Sequence, residues 1–501
     1  MPINNKSYHL IRKWGHVTHG KTRPDDNHWD DRFSPDGRGG TPGTRRGKDK
    51  DVRSNADGET AQPRRAAGRP RASESAHGSL AALLNLVRTG EATTRQELEN
   101  QSELGRAVVT DRLATLLRLG LIEEGELGPA IGGRAPRHVR FRPRMGMILA
   151  AVLDHSSLAV GISDLSGRLL AEHHEAVELA AGPEPVVQRL ATLFAWMLEE
   201  HGSEGGIWGI GLAVPGPVEK PDGQKLFAPA LSAFQNWDGF PFVEQLAALV
   251  GAPVWARSGV QTMTMGELKS GSGVGLTDMI FVKLGRSISA GVISEGALHR
   301  GAQGAAGMIG YTFIEGGNLE AVAGSEALGR EARQAAESGR SPYLAEALAR
   351  AGEVTVTDAG HGAQLGDPFC IDLLGRCGRA VGEVLAPLAN LLNPSLIVLG
   401  GNVAETGDIL LAAVREAVYR QSHPVVTRDL RIVRSQMGGS AGLVGAAQVV
   451  AEALFEARFL QGWITLGSPR EHPEFKDFLA RAAFDTSARP AKPRPPGGPF
   501  A

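Results

Sequence analysis

The chain has 501 residues, of which 42% are hydrophobic and 22% charged, and a formal net charge of −2. That length predicts two or three domains, and that balance is ordinary for a globular protein rather than a fibrous or low-complexity one. No apolar run reaches the roughly eighteen residues of a membrane span, and no apolar core follows the N-terminal basic residues as it would in a secretory signal. A cytoplasmic protein with no membrane partner is expected.

Residues 1–76 hold more Lys and Arg than Asp and Glu and show no sustained apolar period. The stretch from Asp36 to Arg71 in particular cannot bury enough surface to offset its ordering entropy, so this segment is predicted to be a disordered tail. It reads either as a basic arm that strengthens DNA binding electrostatically or as a plain tail. The acids that interrupt its basic residues favour the second reading.

Residues 77–143 change character. Leu80, Leu83, Leu84 and Val87 follow helical spacing up to a stop at Thr89-Gly90. Thr93 or Thr94 then caps a short helix opened by Arg95, with Glu97 placed for a capping box. A third helix is predicted from Arg106 to Leu119, its inward face formed by Val109, Leu113, Leu116 and Leu117. Leu121-Ile122, a turn-rich stretch from Glu124 to Gly133 and a strand from His138 to Phe141 complete the segment. Helix, helix, turn, helix and hairpin is the order of a winged helix-turn-helix. Arg106, Thr110, Asp111 and Arg112 lie off the apolar face, near the end of the helix that would enter a major groove. Arg134 and Arg137 flank a glycine pair at the hairpin tip, where a wing would touch phosphate or the minor groove. With Arg95, these are the candidate DNA contacts. The competing reading is a small three-helix interaction module with a solvated basic face.

Residues 144–457 read as α/β. Strands are expected at 148–153, 159–163, 207–214, 253–256, 279–284, 290–294 and 396–399. Helices are expected at 185–201, 375–392 and 441–456. Cys370 and Cys377, the two cysteines, sit two turns apart on one helix face, too far for a disulfide and without neighbouring metal ligands. They are read as core, and no metal or cofactor is expected. Residues 458–501 end in Pro- and Gly-rich sequence and are expected to dock in part and then run loose.

Several segments from Leu83 to Ala457 together resemble one family. They are Gly209-Ile210-Gly211-Leu212-Ala213-Val214-Pro215-Gly216-Pro217-Val218, Gly266-Glu267, Asn393-Pro394 and Ile397-Val398-Leu399-Gly400-Gly401, preceded by the run from Thr93 to Arg137. The family is that of repressors, open reading frames and kinases (ROK), and the resemblance covers about three quarters of the chain. It implies a winged helix-turn-helix followed by a two-lobed, actin-like and sugar-kinase-like domain with ligands held between the lobes.

The resemblance also implies which chemistry has gone. The family's Asn-Asp-x-Asn segment, which supplies the base that deprotonates the sugar hydroxyl, is here Ser258-Gly259-Val260-Gln261. Gly259 has no titratable group, so base catalysis there is excluded. The first phosphate loop keeps Asp154 but has Ser156 and Leu158 where the family has glycine and threonine. The second loop retains only Gly285 and Gly291 of its glycines, and its Arg286 is expected to be solvated or structural. Met308 and Tyr311 replace a sugar-binding carboxylate and a sugar- and metal-binding histidine, and the cysteine cluster for zinc is missing. Glu320 either faces the cleft or is an ordinary acid in the first turn of a helix. Asp154, Ser258, Gly259, Gln261, Tyr311, Glu320 and Asn402 are therefore the candidate effector-cleft residues.

The expected function is a non-enzymatic, DNA-binding transcriptional regulator of the repressor branch. Its partners would be a double-stranded DNA operator, a second copy or three further copies of the chain, and a small-molecule effector, a sugar or otherwise. A sugar kinase fused to a DNA-binding domain is the alternative. A ligand-independent DNA-binding or scaffold protein with a collapsed cleft is a third reading.

Overall fold

The computed structural model describes residues 76–127, 137–177, 182–202, 205–216 and 240–488, together with Leu179 and Val218. The tail 1–75, the hairpin tip with Arg134 and the last thirteen residues lie outside this set.

Three helices open the described chain: α1 (Ala76–Thr89), α2 (Arg95–Ser102) and α3 (Arg106–Arg118). Thr94 caps α2, and the expected capping box is present. Its hydroxyl accepts from the Glu97 amide, while the Glu97 carboxylate accepts from the Thr94 amide at 3.0 Å. Glu103 ends α2 in a left-handed conformation, so only Glu103, Leu104 and Gly105 separate α2 from α3. Leu83, Leu84, Leu98, Val109, Leu113 and Leu116 are all fully buried and close the trio.

A hairpin follows, of β1 (Ile122–Leu127) and β2 (Arg137–Phe141), paired antiparallel from Ile122 opposite Phe141. The stretch expected to turn from Glu124 therefore remains strand for three residues more, with an irregularity between Glu124 and Leu127. The hairpin is tied to the start of α2, where Val139 donates to the Thr93 carbonyl and Thr93 Oγ1 meets His138 Nδ1 at 3.0 Å.

The remainder holds two five-stranded sheets with the same strand order. The first contains β3 (Met147–Leu153), β4 (Ser157–Asp164), β5 (Leu169–Ala176), then, beyond α4 (Pro183–His201), β6 (Ile207–Val214), and beyond α5 (Phe242–Val250), β7 (Val254–Ser258), ordered β5-β4-β3-β6-β7. Helix α6 (Gly259–Ser270) leads to β8 (Met279–Leu284), β9 (Ile288–Ser294) and β10 (Ala297–His299). A two-residue hairpin, β11 (Phe313–Ile314) and β12 (Gly317–Asn318), precedes four helices: α7 (Leu319–Ala323), α8 (Ser325–Glu337), α9 (Pro342–Ala351) and α10 (Val356–Gln364). Helix α11 (Pro368–Leu392) then enters β13 (Leu396–Gly400), and α12 (Asp408–Gln421) and α13 (Pro424–Thr427) lead to β14 (Arg431–Arg434). The second sheet runs β10-β9-β8-β13-β14. In each sheet the first three strands in sequence pair antiparallel and the later two add in parallel. One topology used twice makes two lobes, each with its own core. Cys370 and Cys377 lie buried on α11 in the second core, as expected.

Helix α14 (Ser440–Leu454) returns the chain from the second lobe to the first and packs along α6. The crossing is closed by backbone. A Cβ on Gly445 would fall on the Thr262 carbonyl oxygen, and one on Gly266 on that of Ala441. The C-terminal segment docks through α15 (Ala457–Trp463) and α16 (Pro473–Ala488), with Trp463 and Phe475 almost fully buried. It is ordered structure for longer than its composition suggests.

A helix-interior Gly→Ala change ordinarily stabilises by up to about 1 kcal/mol. At Gly445 the sign must reverse, because the added methyl overlaps a carbonyl that cannot move aside. Gly445→Ala should lose about 2 kcal/mol in urea unfolding; a neutral or stabilising result would show that the α6–α14 contact is looser than described.

Candidate functional site

The first candidate surface is the start of α3. Arg106, Ala107, Thr110 and Asp111 are exposed, while Val109 and Leu113 face inward. Gly105, the residue before α3, provides no side-chain cap, so the first amides of the helix stay open at its positive end. Arg112 is placed differently from its neighbours. Its Nε donates to Ser79 Oγ at 3.0 Å and its Nη1 to Asp111 at 2.6 Å, so it braces α3 against α1. Arg95 is exposed at the start of α2. Arg137, on β2, is ion-paired to Glu124 across the hairpin. Arg134 falls outside the described residues.

The second candidate site is the cleft between the sheets, where the named residues separate into groups. Asp154, at the end of β3, accepts from Lys283 Nζ of β8 at 2.7 Å and from the amide and ring Nδ1 of His155 at 2.9 and 3.0 Å. Burial alone would raise the Asp154 carboxyl, but the His155 hydrogen bonds and the Lys283 charge outweigh it and hold it far below the usual carboxylate range. The ion pair joins one sheet to the other. Asn402 Oδ1 and Lys283 Cε approach the site of a Gly285 Cβ to 3.5 and 3.8 Å, so Asn402 adjoins this pair. Asn402 also lines an open groove of about 580 Å³ with Ser325, Arg330 and Val354.

Glu320 sits in the first turn of α7, and its Oε2 accepts from the Ile288 amide at 3.0 Å. It is a helix-start acid whose side chain also pins the second loop. Arg286 is ion-paired to Glu326 at 3.1 Å, a structural role. Tyr311 is 64% exposed, on the turn whose Gly310 adjoins the Glu320 carboxylate.

The third group gathers at the start of α6. Ser258 is buried as the residue preceding the helix, without a side-chain capping bond. Among the described residues a Cβ on Gly259 would meet only the Val214 carbonyl oxygen, at 3.7 Å, so no described group crowds the family's base position. Gln261 is 2% exposed and donates to the Gly304 carbonyl at 2.9 Å. Beside it stand two arginines that pattern reading did not single out, Arg257 at the end of β7 and Arg300 just after β10. Burial and the charge of Arg300 push the Arg257 guanidinium down to about 10, against a partial counter-pull from Glu452. One sequence signal was available: Arg257 stands alone as a charge in a buried-type strand, next to Ser258-Gly259.

Among the described residues no grouping of three or more His, Cys, Asp or Glu could hold a metal. Cys370 and Cys377, their thiols pushed up to about 12 mainly by burial, belong to the second core and not to a zinc site. The family's zinc therefore has no ligand set among the described residues. No described helix is long and apolar enough to cross a membrane.

Two lobes of duplicated topology closing on a cleft, with a helical trio and hairpin in front, define a protein of the sugar-kinase-like class. Residues 155–453 match the ROK family, and the chain belongs to it. It is 24% identical over 385 residues to the xylose repressor of Caldicellulosiruptor bescii, a match that covers 74% of this chain and 95% of that protein. It is 29% identical over 329 residues to a glucokinase of Streptomyces coelicolor, covering 62% of this chain and 98% of the relative. The fold matches a ROK family transcriptional regulator, a homologue of the Escherichia coli MLC protein, with TM-score 0.64 and 22% identity over 78% of this chain and 99% of that one.

A carboxylate held ionised by its partners adds stability that is full above its unfolded pKa and is lost as protons reach it. The stability gap between the native protein and Asp154→Asn should therefore be full at pH 6 and shrink below about pH 4. A gap that stayed constant down to pH 2 would mean that the pair with Lys283 contributes nothing.

Proposed function

We propose that the chain is a DNA-binding transcriptional regulator whose first three helices and hairpin act as a winged helix-turn-helix and whose kinase-like lobes do not phosphorylate. The observation that carries this reading is the start of α3. It offers Arg106, Thr110 and Asp111 to solvent on a helix whose opposite face is locked in the head core. The head joins α2 to α3 through three residues, the short connection that a helix-turn-helix uses. Arg95 and the hairpin residues Arg134 and Arg137 would meet phosphates on either side, and Arg112 would hold α3 in place from behind.

Absence of catalysis rests on chemistry at three places. Gly259 cannot accept a proton, Lys283 already neutralises Asp154, and Arg286 is engaged by Glu326. The kinase alternative draws on the glucokinase likeness, but that likeness covers 62% of the chain against 74% for the xylose repressor. In this reading the lobes pair the heads of two chains to match paired half-sites. They also bind a small molecule, which shifts the heads only as far as it favours one arrangement over another.

Arg106→Ala with Thr110→Ala should weaken binding to the protein's own operator at least tenfold while leaving the thermal midpoint unchanged. Arg134→Ala with Arg137→Ala should reduce the slope of log affinity against log salt by up to about 2, near 0.9 for each phosphate no longer neutralised. Unaltered operator affinity in the first variant would exclude α3 as the reading helix.

A further inference from the structure

The group at the start of α6 holds polar atoms that nothing in the described protein satisfies. Gln261 gives its amide N–H to Gly304, yet its Oε1 is buried with no hydrogen-bond partner among the described residues. The same holds for Nε and Nη2 of Arg300. Buried polar atoms are nearly always paired, so orphans of both kinds in one place indicate a missing occupant. Gly304 connects them: its carbonyl takes the Gln261 amide, and Arg300 Nη2 lies 3.6 Å from where its Cβ would stand.

The chemistry of the orphans specifies the occupant. Nε and Nη2 form the side edge of a guanidinium, spaced to grip two oxygens of one carboxylate or phosphate. Arg257, half-buried and with Nη1 given to the Ala256 carbonyl at 2.7 Å, adds a second positive charge near enough to Arg300 to feel its repulsion. The uncapped start of α6, with no side chain at Gly259, adds the positive end of a helix. Gln261 Oε1 is the opposite case, an acceptor that needs a donor such as a hydroxyl. A neutral sugar would satisfy the glutamine and leave the Arg300 edge bare. A simple inorganic anion would do the reverse.

We propose that this pocket binds a small hydroxylated anion, a sugar or polyol bearing a carboxylate or phosphate, with Arg300 and Arg257 holding the charge and Gln261 accepting from a hydroxyl. The proposal rests on the regulator reading only in taking this ligand as the effector. It specifies a charged ligand where the family's kinases bind a neutral sugar.

The test uses the full chain, titrated calorimetrically with gluconate, glucose 6-phosphate, glucose and inorganic phosphate, with operator binding followed in parallel. Gluconate or glucose 6-phosphate should bind at least tenfold more tightly than glucose and inorganic phosphate, and whichever prevails identifies the charged group. Arg300→Met should lose at least tenfold in affinity for that anion while raising the thermal midpoint of the free protein, because an unpaired buried cation is removed. A misfolded variant would lower it. Gly259→Asp, whose Cβ meets no described atom closer than 3.7 Å, should also abolish binding by placing a carboxylate against the anion. Glucose binding as well as either anion, no binding of either anion, or full affinity in Arg300→Met would each overturn the proposal. Operator binding without anion binding would overturn this inference alone. Arg300-dependent anion binding in a chain that binds no DNA would instead overturn the regulator reading.

Discussion

The architecture depends on the close crossing of α6 and α14. At this crossing Gly266 lies against Ala441 and Gly445 against Thr262, backbone to backbone. On its other side α14 sets Ala446 against Gly211 and Val450 near Gly209, both on β6. No flexible side chain separates the paired backbones, so the helix has one seat and cannot slide by small repacking. The retained Gly266-Glu267 pair follows from the same constraint. Glu267 is fully buried beside the crossing, where its carboxylate accepts from Ser435 Oγ and the Ser272 amide. Substitutions in the cleft leave such a framework untouched, whereas a methyl at the crossing does not.

This crossing also connects the two candidate surfaces. Helix α6 begins at Gly259 and Gln261, in the pocket, and α14 ends at Phe455, on which the head rests. Arg88 of α1 lies over the Phe455 ring at 4.7 Å, Phe141 of β2 meets it edge-on at 5.5 Å, and Asn85 donates to its carbonyl at 3.1 Å. The aromatic contacts continue through Trp463 to Trp208 on β6. A ligand that shifts α6 thus acts on a rigid element in direct contact with the seat of the head. Coupling follows if two placements of the α6–α14 unit as a whole differ in their affinity for ligand and for DNA.

Much of this was legible in the chain itself, for identifiable reasons. The strands 207–214 and 279–284 fall on their expected bounds because near-continuous apolar runs of that length, broken only by Lys283 in the second, have few other uses. The capping box at Thr94 and Glu97 was readable from three positions. Helices α8 and α10 were not, because their inward faces are built from Ala332, Ala335, Ala359 and Gly360, too small to mark an apolar period. The hairpin outlasts its expected turn because Glu124 and Glu126 look like loop residues yet sit in an exposed strand. The site was harder still. Arg112 shares the spacing of the exposed α3 residues, and only the fold shows Ser79 waiting behind it. Arg257 and Arg300 lie on different lobes, and their juxtaposition is a property of the cleft rather than of any local pattern.

The regulator reading turns on the head reading DNA. Recovery of genomic fragments by the purified full-length protein tests that in one step. Enrichment of one short motif is expected, repeated as paired half-sites whose centres lie a whole number of helical turns apart. A folded protein that enriches no sequence over bulk DNA would contradict it, and would make the exposed face of α3 a surface for some other partner.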